Sequence, residues 1–233
     1  QSAAAIIVAA GQSSRMTSGD KVFMPLLGKP LLASTIAPFQ DAPEIEAITL
    51  VVAENNLARA NALVETYGFE KVLTVCAGGA RRQDSVWNGM QTVKDYHWLV
   101  VHDGARPCVT IDEIQRGLQE ATHWGTAVAA VPVKDTIKIS GGDRMIVETL
   151  DRSTLWAAQT PQIFPRNLLY DAYQHNTDEV TDDASLVEST GYPVHLYFGS
   201  YENIKVTTPD DMLLAELFLK QREGISHEGW HRI

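Results

Sequence analysis

Basic side chains are in short supply. Nineteen Lys and Arg stand against 29 Asp and Glu, a formal net charge of −10, and no basic run occurs anywhere. Such a chain repels nucleic acid at long range, which argues against a polymeric polyanion as a partner. A small polyanion stays admissible if the few cations gather in one cleft and a divalent metal offsets the ligand's charge. Cysteine is scarcer still: Cys76 and Cys108 have no spacing that suits a metal or a redox pair. No apolar run approaches the roughly 20 residues that cross a bilayer. No basic region precedes the first apolar stretch, which therefore does not read as a signal peptide. These absences predict a cytoplasmic protein without a membrane partner. Repeats and low-complexity linkers are missing as well. The length of 233 residues predicts one domain over 1–223 and a tail, 224–233, without a clear period.

What is present starts at the N-terminal end. Ala3 to Ala10 are eight apolar residues in a row, the pattern of a short strand buried on both faces. The strand runs into Gly11, then Gln12, Ser13, Ser14 and Arg15. A buried strand ending in small residues and a cation suggests an anion site at the carboxyl end of a sheet. The plainer reading is a strand–loop turn with an exposed Arg. A dinucleotide loop is the weaker alternative, because G-x-G-x-x-G needs Gly at the positions of Ser13 and Met16.

Apolar runs and helical stretches then alternate. Strands are predicted at 48–53, 72–77, 98–102, 127–131 and 195–198, with helices at 31–39, 57–67, 85–92 and 111–121. The rhythm predicts an α/β fold, a Rossmann-like, mostly parallel sheet with helices on both faces. Ligands of such sheets bind beyond the carboxyl ends of the strands. Gly78 to Val86 follows one strand and opens a helix, with Asp84 or Ser85 as the expected N-cap. Trp98 to Pro107 is an apolar strand that ends in Asp103, Gly104, Ala105 and Arg106. An Asp placed there suits a ribose hydroxyl or a metal–phosphate unit; the alternative is a surface Asp–Arg pair of little weight. His102 is expected to pack beneath the site without a catalytic role. Gly141-Gly142 signals a hairpin turn inside an excursion at about 137–151. Its Ile137, Ile139, Ile146, Val147 and Leu150 lack cover on a lone arm, which predicts a partner chain. Thr181-Asp182-Asp183 reads as a helix start, and Thr208, Pro209 and two acids make a second, stronger one.

Seven of these stretches, in order, resemble the motifs of one family. AAGQSSRM resembles the AAGxGxRM loop of sugar-phosphate and polyol-phosphate nucleotidyltransferases, with Ser13 in place of its second Gly. DKVF…GKP, GGARRQDSV, HDGARP, PVKDTIK, DRSTLWAAQTPQ with TDDAS, and NIKVTTPDD resemble the 2-C-methyl-D-erythritol 4-phosphate cytidylyltransferase family. Asp20, Val22 and Gly104 depart from that family's usual residues. The resemblance implies the nucleotide-diphospho-sugar transferase type of fold and transfer of CMP from CTP to a polyol phosphate. It implies that Ala9, Ala10, Gly11, Gln12, Ser13 and Ser14 wrap the triphosphate, and that Arg15, Lys21 and Lys205 act at the reacting phosphates. Gly78, Gly79, Arg82, Ser85, Asp103 and Gly104 would complete the CTP site. Arg106, Thr136, Arg152, Thr160 and Thr181 would hold the polyol phosphate. The implied cofactor is Mg²⁺, with Asp103 as a candidate ligand, and the implied assembly is a homodimer through the arm. Arg152 and Thr160 follow the arm directly, so a crossing arm would carry both to the neighbour's pocket. Ribitol-5-phosphate cytidylyltransferases share most of these motifs. Molybdopterin nucleotidyltransferases share only the first loop. A non-catalytic nucleotide sensor is the reading from another class, and retention of Lys21 and Lys205 argues against it.

Overall fold

In the computed structural model, which describes residues 2–11, 20–175 and 179–224, the first apolar run is strand β1, Ala3–Ala9. Alternate residues of β1 feed two cores. Ala3, Ala5, Ile7 and Ala9 belong to one, Ala4 and Ile6 to the other. This double burial is why the run carries no polar residue. A short antiparallel pair, β2 (Pro25–Leu26) and β3 (Lys29–Pro30), leads into helix α1 (Leu31–Asp41). Then follow β4 (Ile45–Val52), α2 (Leu57–Tyr67), β5 (Val72–Ala77), α3 (Arg82–Met90) and β6 (Trp98–Asp103). Next come α4 (Ile111–Trp124), β7 (Ala127–Pro132) and the hairpin strands β8 (Lys138–Ser140) and β9 (Ile146–Thr149). The remaining elements are β10 (Trp156–Pro165), α5 (Arg166–His175), α6 (Asp183–Glu188), β11 (Leu196–Phe198) and α7 (Pro209–Arg222).

Seven strands form the central sheet in the order β11-β7-β10-β6-β1-β4-β5. Only β10 runs antiparallel to its neighbours, β6 and β7. Helices α1, α2 and α4 cover one face, through Leu32, Ile36, Phe39, Leu63, Ile114 and Leu118. Helices α3, α5 and α6 cover the other, through Val86, Met90, Leu169, Ala172 and Leu186. The expected fold class stands. No helix among the described residues is long and apolar enough to cross a membrane.

Three local expectations shift. Strand β10 and helix α5 were not foreseen, because Gln159-Thr160-Pro161-Gln162 breaks the apolar pattern. The pairing of β10 with β7 is interrupted there, between Ala158 and Gln162. Helix α3 starts three residues early: its N-cap is Arg81, and Asp84 is the third helical residue, accepting from the Arg81 N–H at 3.0 Å. In the arm, the chain reverses over residues 141–145, and the left-handed residue is Arg144 (φ 63°) rather than either glycine. Strands β8 and β9 pair only with each other, leaving Met145, Ile146 and Val147 about two-thirds exposed.

Candidate functional site

The carboxyl ends of β1, β4, β5 and β6 surround one cleft of about 1070 Å³. Val8 to Gly11 form its floor beside Gly78 and Gly79, and Lys21 and Lys205 reach it from two other segments. Gly78 is required here by close approach. A Cβ on it would lie 2.3 Å from the Cβ of Ala10 and 2.6 Å from Ser85 Oγ. The Ser85 hydroxyl is held in turn. It donates to the Arg81 carbonyl (3.2 Å) and accepts from the Gly79 N–H (3.1 Å), which leaves one lone pair free to accept.

A second compartment of about 240 Å³ adjoins the first. It is lined by Arg106, Gln159, Thr160, Gln162, Thr181 and Asp182, and it shares Arg82, Asp103 and Lys205 with the larger cleft. Those three form the dividing wall. Arg82 Nε lies 3.1 Å from one Asp103 oxygen; Lys205 Nζ (3.0 Å) and Arg106 Nε (3.5 Å) lie against the other. Arg82 also pairs with the buried Asp183 at 2.8 Å, and Tyr173 donates to that carboxylate from the far side. Burial disfavours the charge of Asp103, yet Arg82, Lys205 and Arg106 hold its carboxyl well below the usual carboxylate range. The surface Asp–Arg pair considered from sequence is therefore overturned. Asp103 is buried and organises three cations.

Beneath Asp103 lies a second network. The Asp103 N–H donates to Thr160 Oγ1 (3.0 Å), and Thr160 Oγ1 meets His102 Nδ1 at 2.9 Å. His102 Nε2 lies 3.2 Å from the Arg106 carbonyl, an acceptor, so Nε2 carries the proton and Nδ1 accepts from Thr160. Burial pushes the His102 imidazole down to about 4. It is a neutral strut, as expected.

The structure thus brings Ala9, Ala10, Gly11, Lys21, Gly78, Gly79, Arg82, Ser85, Asp103 and Lys205 around the first compartment, and Arg106, Thr160 and Thr181 around the second. Gly104 is buried just behind, its carbonyl accepting from Thr35 Oγ1 and its Cα facing Ala9. Gln12, Ser13, Ser14 and Arg15 lie outside the described residues. Thr136 and Arg152 line neither compartment; both are exposed, and Arg152 donates to the Lys134 carbonyl at the base of the arm. The idea that Thr160 serves a neighbour is corrected: it lines the smaller compartment of its own chain, where its hydroxyl meets His102 Nδ1 and the Asp103 N–H. Sequence reasoning missed Ala53, Glu54 and Asn55, which line the first compartment. Their place just after β4 was the available signal, since every parallel strand of such a sheet ends at the ligand face. Burial raises both thiols, Cys108 to about 12, in keeping with the absence of redox spacing.

A parallel sheet that delivers glycine backbone, lysines and a cation-ringed carboxylate to two adjoining compartments defines a nucleotidyltransferase. The family model for 2-C-methyl-D-erythritol 4-phosphate cytidylyltransferase (IspD) matches residues 3–221. The chain is similar to a Dehalococcoides mccartyi protein of that name, 48% identical over 217 residues that cover 93% of this chain and 96% of the relative. It is also similar to the crystal structure of the Thermus thermophilus 2-C-methyl-D-erythritol 4-phosphate cytidylyltransferase, with a TM-score of 0.78 at 30% identity, covering 94% of this chain and 100% of that one. A 4-diphosphocytidyl-2C-methyl-D-erythritol synthase from Anaerococcus prevotii superposes with a TM-score of 0.82 at 26% identity, over 94% and 99% of the two chains. The chain belongs to the 2-C-methyl-D-erythritol 4-phosphate cytidylyltransferase family.

Proposed function

We propose that this chain transfers CMP from CTP to 2-C-methyl-D-erythritol 4-phosphate and releases pyrophosphate. The observation that carries the reading is the wall of Arg82, Asp103 and Lys205 common to both compartments. A nucleotide in the larger compartment and a polyol phosphate in the smaller would meet across it. A phosphate oxygen of the acceptor attacks the α-phosphorus of CTP, and the bond to the β-phosphate oxygen breaks. The attacking oxygen is already ionised, so no base is needed, in accord with a neutral, buried His102. Catalysis is electrostatic: two anions are held together, and charge developing at phosphorus is stabilised. Lys205 and Lys21 supply that charge, with Arg15 assigned beside them by family resemblance. Among the side chains that line the larger compartment, Lys21, Arg81, Arg82 and Lys205 outnumber Glu54 and Asp103. A chain of net charge −10 therefore still receives a triphosphate there.

Base choice follows from Ser85. Its free lone pair suits the exocyclic amino group of cytosine, a donor, and not the carbonyl oxygen that uracil carries at that position. In the smaller compartment Arg106, Thr160 and Thr181 are the candidates for the acceptor, with Arg152 and Thr136 coming from the arm of a second copy in a homodimer. The setting is the cytoplasm.

Mg²⁺ is assigned to the nucleotide's phosphates. The described residues do not fit an ion held by the protein. They include no cluster of three or more metal-ligating side chains, and both Asp103 oxygens are taken by cations that oppose further positive charge. The deciding experiment is pyrophosphate release from CTP with methylerythritol phosphate beside ribitol 5-phosphate. Release with the first acceptor is expected. Release with ribitol phosphate alone would move the chain to the other substrate.

A further inference from the structure

The segment that carries Lys21 packs on α1 and is also fastened from the start of α2. Asp20 precedes the lysine, and its Oδ2 accepts a 2.7 Å hydrogen bond from Nδ2 of Asn56. Val22 and Phe23 follow, both buried, and the Arg59 guanidinium lies 4.3 Å from the centre of the Phe23 ring. Asn56 and Arg59 are one helical turn apart at the start of α2. Lys21 is thus the cleft-lining residue of a short turn gripped on both sides.

Asn56 ends the short 3-10 turn Glu54–Asn56 that runs straight into α2, with helical backbone dihedrals (φ −102°, ψ −1°), so its side chain is not set to cap a free helical N–H. It makes no such bond. It is buried, and its amide is placed on a residue 36 positions away. The two residues before it, Glu54 and Asn55, line the same compartment as Lys21. The Asn56–Asp20 bond therefore ties the lysine segment to an adjoining wall of the cleft.

We propose that Asn56, acting through Asp20, is a positioning residue for Lys21 in the transfer of CMP. The proposal rests on the assignment of Lys21 to the reacting phosphates made above. A lysine stem is flexible, so the reach of its ammonium depends on where its Cα is fixed. Misplacement by about 1 Å is enough to cost on the order of a hundredfold in rate.

The test is a cycle of variants assayed by pyrophosphate release at saturating and limiting CTP, with thermal melting alongside. Asn56→Ala is expected to lower kcat roughly ten- to a hundredfold, with the KM for CTP changed by less than about threefold. Asp20→Ala should match it and carries the test if Asn56→Ala does not fold. Asp20→Asn, which still offers a carbonyl oxygen to the Asn56 amide, should restore most of the rate. In a Lys21→Ala background Asn56→Ala should cost little more, because the residue it positions is gone. Wild-type kcat in both alanine variants, or a full additive loss in the Lys21→Ala background, overturns the proposal. If Lys21→Ala is itself silent, the assignment of Lys21 fails and this proposal falls with it. That result is distinct from a costly Lys21→Ala beside a silent Asn56→Ala.

Discussion

Lys205 approaches Asp103 to 3.0 Å while 42% of its side chain stays exposed to the cleft. A cation held at a buried carboxylate, yet open to an incoming phosphate, is suited to stabilise charge as it develops. Removing one such donor from a preorganised site elsewhere costs about 2.7–4 kcal/mol. Lys205→Ala and Lys21→Ala should each lower kcat about a hundred- to a thousandfold, read by steady-state kinetics on folded protein. A loss below about tenfold would remove that lysine from the reacting centre. His102 makes a prediction of a different kind. Burial holds its folded value at about 4, below the ordinary value near 6.5. Between those limits the unfolded chain binds a proton that the folded chain refuses, so stability rises with pH there. It is complete above about pH 6.5 and falls by something on the order of 3 kcal/mol on the way to pH 4. Asp103, with a depressed value, also contributes stability that is lost on acidification, but only below about pH 4, where the unfolded carboxylate protonates. Urea titrations at pH 7 and 5 separate the two. His102→Asn should be less stable than the parent at pH 7 and lose less between the two pH values. An equal loss in both proteins would show that His102 is not the source of the slope.

Among the elements, the turn between β5 and α3 is the one to which the proposed function assigns the reading of the base. Gly78 leaves room for Ala10 and for the Ser85 hydroxyl, and the Gly79 N–H and Arg81 carbonyl fix that hydroxyl's direction. Ser85→Ala removes the acceptor, at a cost of about tenfold in CTP use, and should narrow the gap between CTP and UTP. Competition between the two nucleotides measures it; an unchanged preference would place base recognition elsewhere. Elements were legible in the sequence where one local rule decided them. Strands β1, β6 and β7 are runs buried almost throughout, β4 is buried at all but Glu46, and β5 is a half-buried edge strand with Leu73 exposed. Helix α7 begins at Thr208, which accepts from the Asp211 N–H, with Pro209 as its first residue. Strand β10 was hidden because its middle is polar. Gln162 is buried there to donate to Asp182 and accept from the Ala184 N–H, contacts made across 20 and 22 residues. The Asn56–Asp20 bond was hidden for the same reason. Partners that distant leave no periodicity behind, and the motifs that made the site readable name residues without saying which of them meet.

At the scale of the whole molecule, the two compartments account for Arg106, Thr160 and Thr181 within one chain, and leave Arg152 and Thr136 outside. Both lie on the segments that flank the hairpin of β8 and β9. That hairpin exposes Ile139, Met145, Ile146 and Val147, and it pairs with no other strand. A two-stranded arm is marginal alone in water, and an apolar one needs cover. In the proposed two-fold dimer a second copy of the chain would supply that cover and bring its own Arg152 to this chain's smaller compartment. Geometry alone then fixes the outcome of mixing two inactive parents, Lys21→Ala and Arg152→Ala. If Arg152 acts on the neighbour's site, one site of each mixed dimer collects both lesions and the other is intact. If it acts on its own chain, every site keeps one lesion. Differently tagged chains, unfolded together, refolded and purified through both tags, isolate the mixed species. Pyrophosphate release by that species is expected. Silence in a verified mixed dimer would return Arg152 to its own chain and reduce the arm to a contact that holds the two copies together.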